Sequence, residues 1–328
     1  QVTSGLRFGK TLGTPITLVV QNRDFKNWSA KMAPFGEKPE DLKEIYRPRP
    51  GHADLAGAIK YDHEDIRNVL ERASARNTAT LVAAGALARQ LLEHFGIRIT
   101  AHVVELCDVK AAQFPDTLEE LEARANASPV RCADEAAAKR MMARIDEAKA
   151  AGDTVGGIFE VIVHGCPIGL GSYAQPDRKL DGKLAAALMS IQAIKGVEIG
   201  LGFEAARRMG SKVHDPILYD GTRYIRSHNG AGGLEGGVTN GEDIVIRAAM
   251  KPISTLYNPL PSVNMKTKEP EPAAIERSDI CALPAASVVG ENAVAWVIAD
   301  AFLEKFGGDS LEQIEDAFRA YQARVNQR

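Results

Sequence analysis

Residues 64–106 read EDIRNVLERASARNTATLVAAGALARQLLEHFGIRITAHVVEL, a helical pattern running into a strand pattern. From Glu64 to Phe95 the apolar positions Ile66, Val69, Leu70, Ala73, Leu81, Ala84, Ala88, Leu91 and Phe95 fall largely on one stripe. The middle is crowded with Ala73, Ala75, Ala79, Ala83, Ala84, Gly85 and Ala86. Such small side chains let a second backbone approach, so one central, buried helix is expected. Gly96 suits a helix stop, and Ile97–Leu106 reads as a strand.

Outward from this stretch, Thr14–Val20 is a β-branched strand candidate and Asp24–Glu44 a polar surface excursion. Downstream, Asp134–Ala151 reads as a helix stopped by Gly152, and Thr154–Cys166 as a strand. Leu180–Ile194 is a second helix, Asp243–Met250 a strand, and Glu291–Phe306 an apolar helix ended by Gly307-Gly308. Ser310 with Gln313 forms a capping box for the last helix. This order is neither a regular βαβ alternation nor an all-β pattern, so the fold class is α+β. No repeat or flexible linker divides the chain, and a single domain over residues 1–328 is expected.

Composition excludes several functions. The chain has 40 Lys+Arg against 43 Asp+Glu, a net charge of −3, which argues against a nucleic-acid partner. Apolar runs such as Ile16–Val20 fall far short of the ~20 residues a membrane span needs. Cys107, Cys132, Cys166 and Cys281 are widely spaced with no CxxC pair, which favours a reducing, cytoplasmic compartment and no metal site.

Several residues carry possible chemistry. Arg47-Pro-Arg-Pro-Gly-His-Ala-Asp54 is a loop stiffened by two prolines, able to fix Arg49 and His52. The upstream cations would disfavour imidazolium at His52, leaving a neutral base near any anion. Arg72 and Arg76, four apart on the expected helix, share a face and have no Asp or Glu three or four residues away. They would either be solvated or paired elsewhere, or grip a phosphate or carboxylate. Arg277 and Asp279 would share a face if extended, as an ion pair or as a base beside a cation. The glycine-rich stretch His228–Gly241 lacks the GxGxxG order and a Walker lysine, yet lets backbone approach a ligand or another subunit. Lys251-Pro-Ile-Ser-Thr255 offers a cation and two hydroxyls at a strand end. The set is cationic, glycine-rich and poor in metal ligands, which suits a polyanionic small molecule and a phosphate-bearing cofactor.

The order of motifs resembles chorismate synthase. The matches are Arg47–Asp54, Glu71-Arg-Ala-Ser-Ala-Arg-Asn-Thr78, Met189-Ser-Ile-Gln-Ala-Ile-Lys-Gly-Val-Glu-Ile199, Ala231-Gly-Gly-Leu-Glu-Gly-Gly237, Lys251–Thr255 and Arg277-Ser-Asp279, collinear over essentially the whole chain. The resemblance implies helices packed between antiparallel β-sheets. It implies a carbon–oxygen lyase that converts 5-enolpyruvylshikimate 3-phosphate to chorismate and phosphate in the shikimate pathway of aromatic biosynthesis. That reaction is a 1,4-anti elimination needing reduced FMN, with NADPH involved only indirectly, and the enzyme is a homotetramer. Carried over by position, Arg72, Ala73, Ser74, Gln192, Ala193, Gly236, Lys251, Pro252, Ile253, Ser254, Thr255 and Arg277 would hold FMN. Arg49, Arg76 and Arg277 would bind substrate, His52 would protonate the reduced flavin, and Asp279 would work with flavin N5 to remove the C6 proton.

Two departures stand out. Asn77 replaces the glutamate that follows Ser-Ala-Arg in the family. The family's opening Gly-Glu-Ser-His-Gly segment has no match, so an N-terminally incomplete domain is expected, with a missing strand to pair with Thr14–Val20. Were the chain self-sufficient, His228 would be the candidate acid for the departing phosphate. The readings set against the synthase are a noncatalytic flavin- or anion-binding derivative and a flavin reductase.

Overall fold

The computed structural model describes residues 1–327, and in it the stripe from Glu64 to Phe95 is not one helix. After α1 (Asp54–Tyr61) come α2 (Arg67–Ala73), a single 3-10 turn at Ala75–Asn77, and α3 (Thr78–His94). The break is Ser74, whose extended backbone (φ −63°, ψ 138°) ends α2 while its hydroxyl accepts from the Arg76 N–H. Serine favours such caps over helix interiors because its hydroxyl competes for backbone groups. Apolar periodicity persists across a cap of this kind and cannot reveal it.

The chain divides into two compact units, residues 1–80, 149–154 and 253–280 in one and the remainder in the other. Unit 1 is mostly loop, with antiparallel two-stranded pairs and a small core of Ala58, Ile66 and Val69 against Ile45, Ala73 and Met265. The Thr14–Val20 strand shrinks to Thr17–Leu18. It pairs with Val2–Ser4 of the same chain, where an upstream strand had been expected.

Unit 2 holds a five-stranded antiparallel sheet. Its strands in chain order are β1 (Arg98–Leu106), β2 (Val109–Lys110), β3 (Gly157–His164), β4 (Ile194–Ile199) and β5 (Ile244–Met250), arranged β2-β1-β3-β5-β4. The helices are α4 (Leu118–Ala127), α5 (Glu135–Ala151), α6 (Leu180–Met189), α7 (Leu283–Phe306) and α8 (Leu311–Val325). With antiparallel sheets and packed helices the fold is α+β, as the order of elements indicated. Two boundaries move. The helix predicted to Ile194 stops at Met189, and a turn with Ala193 at φ +68° leads into β4. A short strand containing Gly196 is too weak a pattern to separate from a preceding helix.

α7 begins at Leu283, eight positions before the predicted Glu291. Glu291 and Asn292 read as polar, yet both are buried. Glu291 accepts from the Ala101 N–H (3.1 Å) and meets Arg131 Nη2 (3.3 Å) and Arg89 Nη1. Burial raises its carboxyl above the usual range, and the two arginines pull it back down. α7 is also the one helix among the described residues long and apolar enough to cross a membrane, but most of it is buried within unit 2.

Glycines bring the layers together, as the small-residue run implied. A Cβ on Gly85 of α3 would lie 2.5 Å from the Asn292 carbonyl, and one on Gly290 would lie 2.4 Å from the Phe159 ring. Beyond them Phe95, Phe302, Phe306 and Phe318 close the core, with Phe95 and Phe302 ring centroids 4.7 Å apart. Gly85→Ala is predicted to lower stability by about 1–3 kcal/mol despite alanine's better helix propensity, because overpacking wins over propensity at such contact distances. A thermal melt at or above the parent midpoint would remove the close approach from the argument.

Candidate active site

The Arg47–Ala53 loop turns through Gly51 (φ +75°) and delivers Asp54 as the first residue of α1. Arg49, only 8% exposed, wraps that carboxylate: its backbone N–H (3.0 Å) and Nε (2.9 Å) donate to Asp54 Oδ2, and Nη2 donates to Oδ1 (3.2 Å). Arg49 Nη1 donates to Thr255 Oγ1 at 2.7 Å. His52 Nδ1 lies 2.5 Å from Asp54 Oδ1, and Arg49 Nη2 stands 3.3 Å from His52 Nε2. An ionised Asp54 only accepts, so Nδ1 carries the proton in this contact. The surroundings of His52 are therefore not simply cationic, as the upstream arginines suggested. Asp54 was quoted in the motif but given no role; its place two residues after His52, opening a helix, was the available signal.

Asp54 is fully buried, which by itself raises its carboxyl. The hydrogen bonds from His52, the Arg49 side chain and the Arg49 backbone outweigh that and hold it well below the ordinary value.

Arg72 and Arg76 do not share a helix face. Arg72 sits in the last turn of α2 and Arg76 in the 3-10 turn beyond Ser74. Arg76 Nη2 approaches Asp24 Oδ2 (3.4 Å), which also accepts from Trp28 Nε1 (3.0 Å). Hydrogen bonds from Asn27 and Trp28, then Arg76, lower the Asp24 carboxyl. Arg72, Arg277 and Asp279 are exposed, and among the described residues none of them has an ion-pair partner, so the expected Arg277–Asp279 pair is not formed. Ser254 donates from its hydroxyl to the Gly51 carbonyl (2.9 Å).

The remaining candidates lie in unit 2. Gln192 and Ala193 occupy the turn between α6 and β4, and the Ala193 carbonyl accepts from the Lys251 N–H at 2.9 Å. Burial, with help from Lys195, lowers the Lys251 ammonium. Gly236 (φ +61°) is exposed, with no atom nearer than 3.9 Å to where a Cβ would sit. The glycine-rich stretch is organised by Asp215, which sequence reading missed. Fully buried, it accepts from the N–H groups of Gly230 (2.7 Å) and Ala231 (2.8 Å) and holds His228 Nδ1. Burial raises its carboxyl, and those hydrogen bonds bring it below the usual range. Within unit 1, the exposed guanidinium groups of Arg72 and Arg277, which have no ion-pair partner among the described residues, are donor chemistry that fits a phosphate-bearing group.

The sequence pattern of the family described as chorismate synthase matches residues 1–303. The chain is 55% identical to the chorismate synthase of Geobacter sulfurreducens, covering 98% of this chain and 84% of that protein. It is 57% identical to the chorismate synthase of Bacillus subtilis, covering 96% and 83%. A crystal structure of chorismate synthase superposes with a TM-score of 0.80 at 42% identity, covering 100% of this chain and 85% of the other. These likenesses make the protein a carbon–oxygen lyase by kinship. The chain belongs to the chorismate synthase family.

A pH test follows from Asp54. A depressed carboxyl contributes stability that is complete above its unfolded value near 3.8 and is lost as pH falls toward the folded one. Asp54→Asn should cost about 3 kcal/mol at neutral pH by stranding Arg49, and should flatten the stability loss below about pH 4. Parallel denaturation curves for parent and variant across that range would show the role to be absent.

Proposed function

We propose that this chain catalyses the 1,4-anti elimination of phosphate from 5-enolpyruvylshikimate 3-phosphate to give chorismate, using reduced FMN. The supporting observation is the Asp54–His52–Arg49 cluster: a histidine held at Nδ1 by a buried ionised carboxylate beside a buried arginine. Reduced FMN supplies the electron-rich ring the reaction needs, and the reaction has no net redox change. NADPH enters only as a remote source of electrons for the flavin.

Arg72, Ala73, Ser74, Ile253, Ser254, Thr255 and Arg277 in unit 1, with Gln192, Ala193, Gly236, Lys251 and Pro252 in unit 2, are assigned to holding FMN. Arg49, Arg76 and Arg277 are assigned to the substrate's anionic groups, where a guanidinium fork gives charge-assisted hydrogen bonds. Arg49 has one Nη1 hydrogen left after serving Asp54, Thr255 and His52. For Arg76, substrate competes with Asp24. Asp279, exposed and without an ion-pair partner among the described residues, takes the proton leaving C6 as the C–O bond to phosphate breaks and a second ring double bond forms. His52 is assigned to proton transfer with the reduced flavin. The whole chain is assigned to one synthase domain, acting in the cytoplasm as a homotetramer.

An elimination assay with reduced FMN on protein made from the whole reading frame tests this reading. FMN is expected to bind more tightly when reduced and when substrate is present; equal affinity in all states, or no turnover, rejects the proposal. Asp279→Asn should cut turnover by on the order of 10²-fold with flavin binding largely kept, as for loss of a positioned base. Arg76→Ala should weaken substrate and Arg72→Ala should weaken FMN, each about ten- to a hundredfold. If both variants bind both ligands normally, neither arginine has the role assigned to it.

A further inference from the structure

Unit 1 holds an indole that the proposed reaction does not use. In the polar excursion over residues 24–44, Phe25 and Phe35 are 54% and 89% exposed, whereas Trp28 is half-buried. Two groups seat it. Its Nε1–H donates to Asp24 Oδ2 at 3.0 Å, and the Arg67 guanidinium lies over its ring, 5.0 Å from the centroid. Arg67 is itself forked onto Glu276, with Nη2 2.8 Å from Oε1 and Nη1 3.4 Å from Oε2. An indole beneath a cation that is fixed elsewhere has little freedom to turn its N–H away from Asp24. Asp24, Trp28, Arg67, Arg76 and Glu276 all belong to unit 1.

Asp24 opens the 3-10 turn Phe25–Asn27, where an aspartate ordinarily accepts from the N–H groups of the turn itself. Its side chain makes no such cap. Oδ1 instead accepts from Asn27 Nδ2 (2.8 Å), and Oδ2 is shared between Trp28 Nε1 (3.0 Å) and Arg76 Nη2 (3.4 Å). The two neutral donors are thus closer than the cation, and they also do more than Arg76 to lower the carboxyl. A guanidinium within reach of a carboxylate ordinarily closes into a fork with bonds of about 2.7–2.9 Å. Arg76 makes one long contact with Asp24, and its side chain stays 58% exposed.

Given the substrate role proposed for Arg76, we infer that Trp28 is its positioning residue: the indole N–H occupies the Asp24 oxygen that would otherwise close on the guanidinium, and so keeps Arg76 open to the substrate's anionic group. Asp24 is counter-ion and competitor at once. As counter-ion it steadies a guanidinium that has no other acidic partner among the described residues. As competitor it is displaced when a phosphate or carboxylate takes Arg76. A carboxylate satisfied by Asn27 and Trp28 gives up the cation at small cost, since those two hydrogen bonds stay with it. A carboxylate with a vacant lone pair would turn to the strongest donor in reach, Arg76, and hold it against the substrate. Trp28 acts through Asp24 and need touch neither substrate nor flavin.

The test is steady-state kinetics with reduced FMN on protein made from the whole reading frame, with circular dichroism as the folding control. Trp28→Phe keeps an aromatic ring under Arg67 and removes the N–H. It should raise KM for 5-enolpyruvylshikimate 3-phosphate about three- to tenfold, the worth of one hydrogen bond, with kcat kept. Adding Asp24→Asn to that variant should return KM to the parent value or below, because the competitor for Arg76 loses its charge. A tryptophan with a purely structural role would not be rescued by neutralising a neighbouring carboxylate. An unchanged KM in folded Trp28→Phe, or a raised KM that Asp24→Asn does not lower, overturns the inference. Should Trp28→Phe not fold, Asn27→Ala removes the other neutral donor to Asp24 from an exposed position. It should raise KM in the same sense and be rescued in the same way, and an unchanged KM there overturns the inference equally. A parent without turnover would defeat the proposed function and this role with it, whereas an active parent with unaffected variants would defeat the role of Trp28 alone.

Discussion

A five-stranded antiparallel sheet has one face that must leave water, and α7 is the element on which that burial depends. It lies against β1 and β3 so closely that Gly290 meets the Phe159 ring, and Gly85 of α3 lets Asn292 in on the other side. Fifteen of its 24 residues are buried, with residues 289–295 buried without a break. At about 25 cal/mol per Å² of apolar surface removed from water, a helix of this kind outweighs any single polar contact in the unit. The aromatic group at its far end, Phe302 and Phe306 with Phe95 and Phe318, ties α3 and α8 to the same core.

Against that apolar background three buried carboxylates do related work. Glu291 joins α7 to α3 and β1, Asp54 shapes the Arg47–Ala53 loop, and Asp215 shapes the glycine-rich stretch. Each accepts from at least one backbone N–H and from a cationic or imidazole group. Burial raises all three carboxyls, but only in Glu291 does it prevail; the denser hydrogen bonding at Asp54 and Asp215 leaves them lowered. Those two loops carry His52 and lead to Gly236, so the chain places its best-anchored acids beneath its candidate chemistry. A loop held by an ionised carboxylate keeps its shape without helix or strand pairing, which matters where residues must stay accessible to a ligand.

Much of the architecture was legible before any coordinates. β1, β3, β5 and α5 fall within a few residues of their predicted ends because each is long and strongly patterned, and α8 starts directly after Ser310, where its capping box placed it. The errors cluster where pattern and local chemistry part company. Ser74 interrupts a stripe whose apolar phase continues, and Glu291 and Asn292 hide the first two turns of α7 behind polar letters. The glycine-rich stretch was recognised, but Asp215, thirteen positions before His228, was not, since no local spacing links them.

The sequence by itself determined the α+β class, the small-residue seam along α3, the motifs that mark the family, and the cations free of local counter-ions. These are properties of composition and short-range order, fixed by periods of 3.6 and 2 and by neighbours within one turn. Tertiary structure alone decided that Arg76 meets Asp24, that Arg49 spends most of its donors on Asp54 and Thr255, and that Glu160, Arg247 and Glu198 form one row. Apart from Arg49 and Asp54, which are five positions apart, these contacts join residues far apart in the chain. Their pairing depends on strand register and on which loop a buried charge can reach, and neither is written in local sequence.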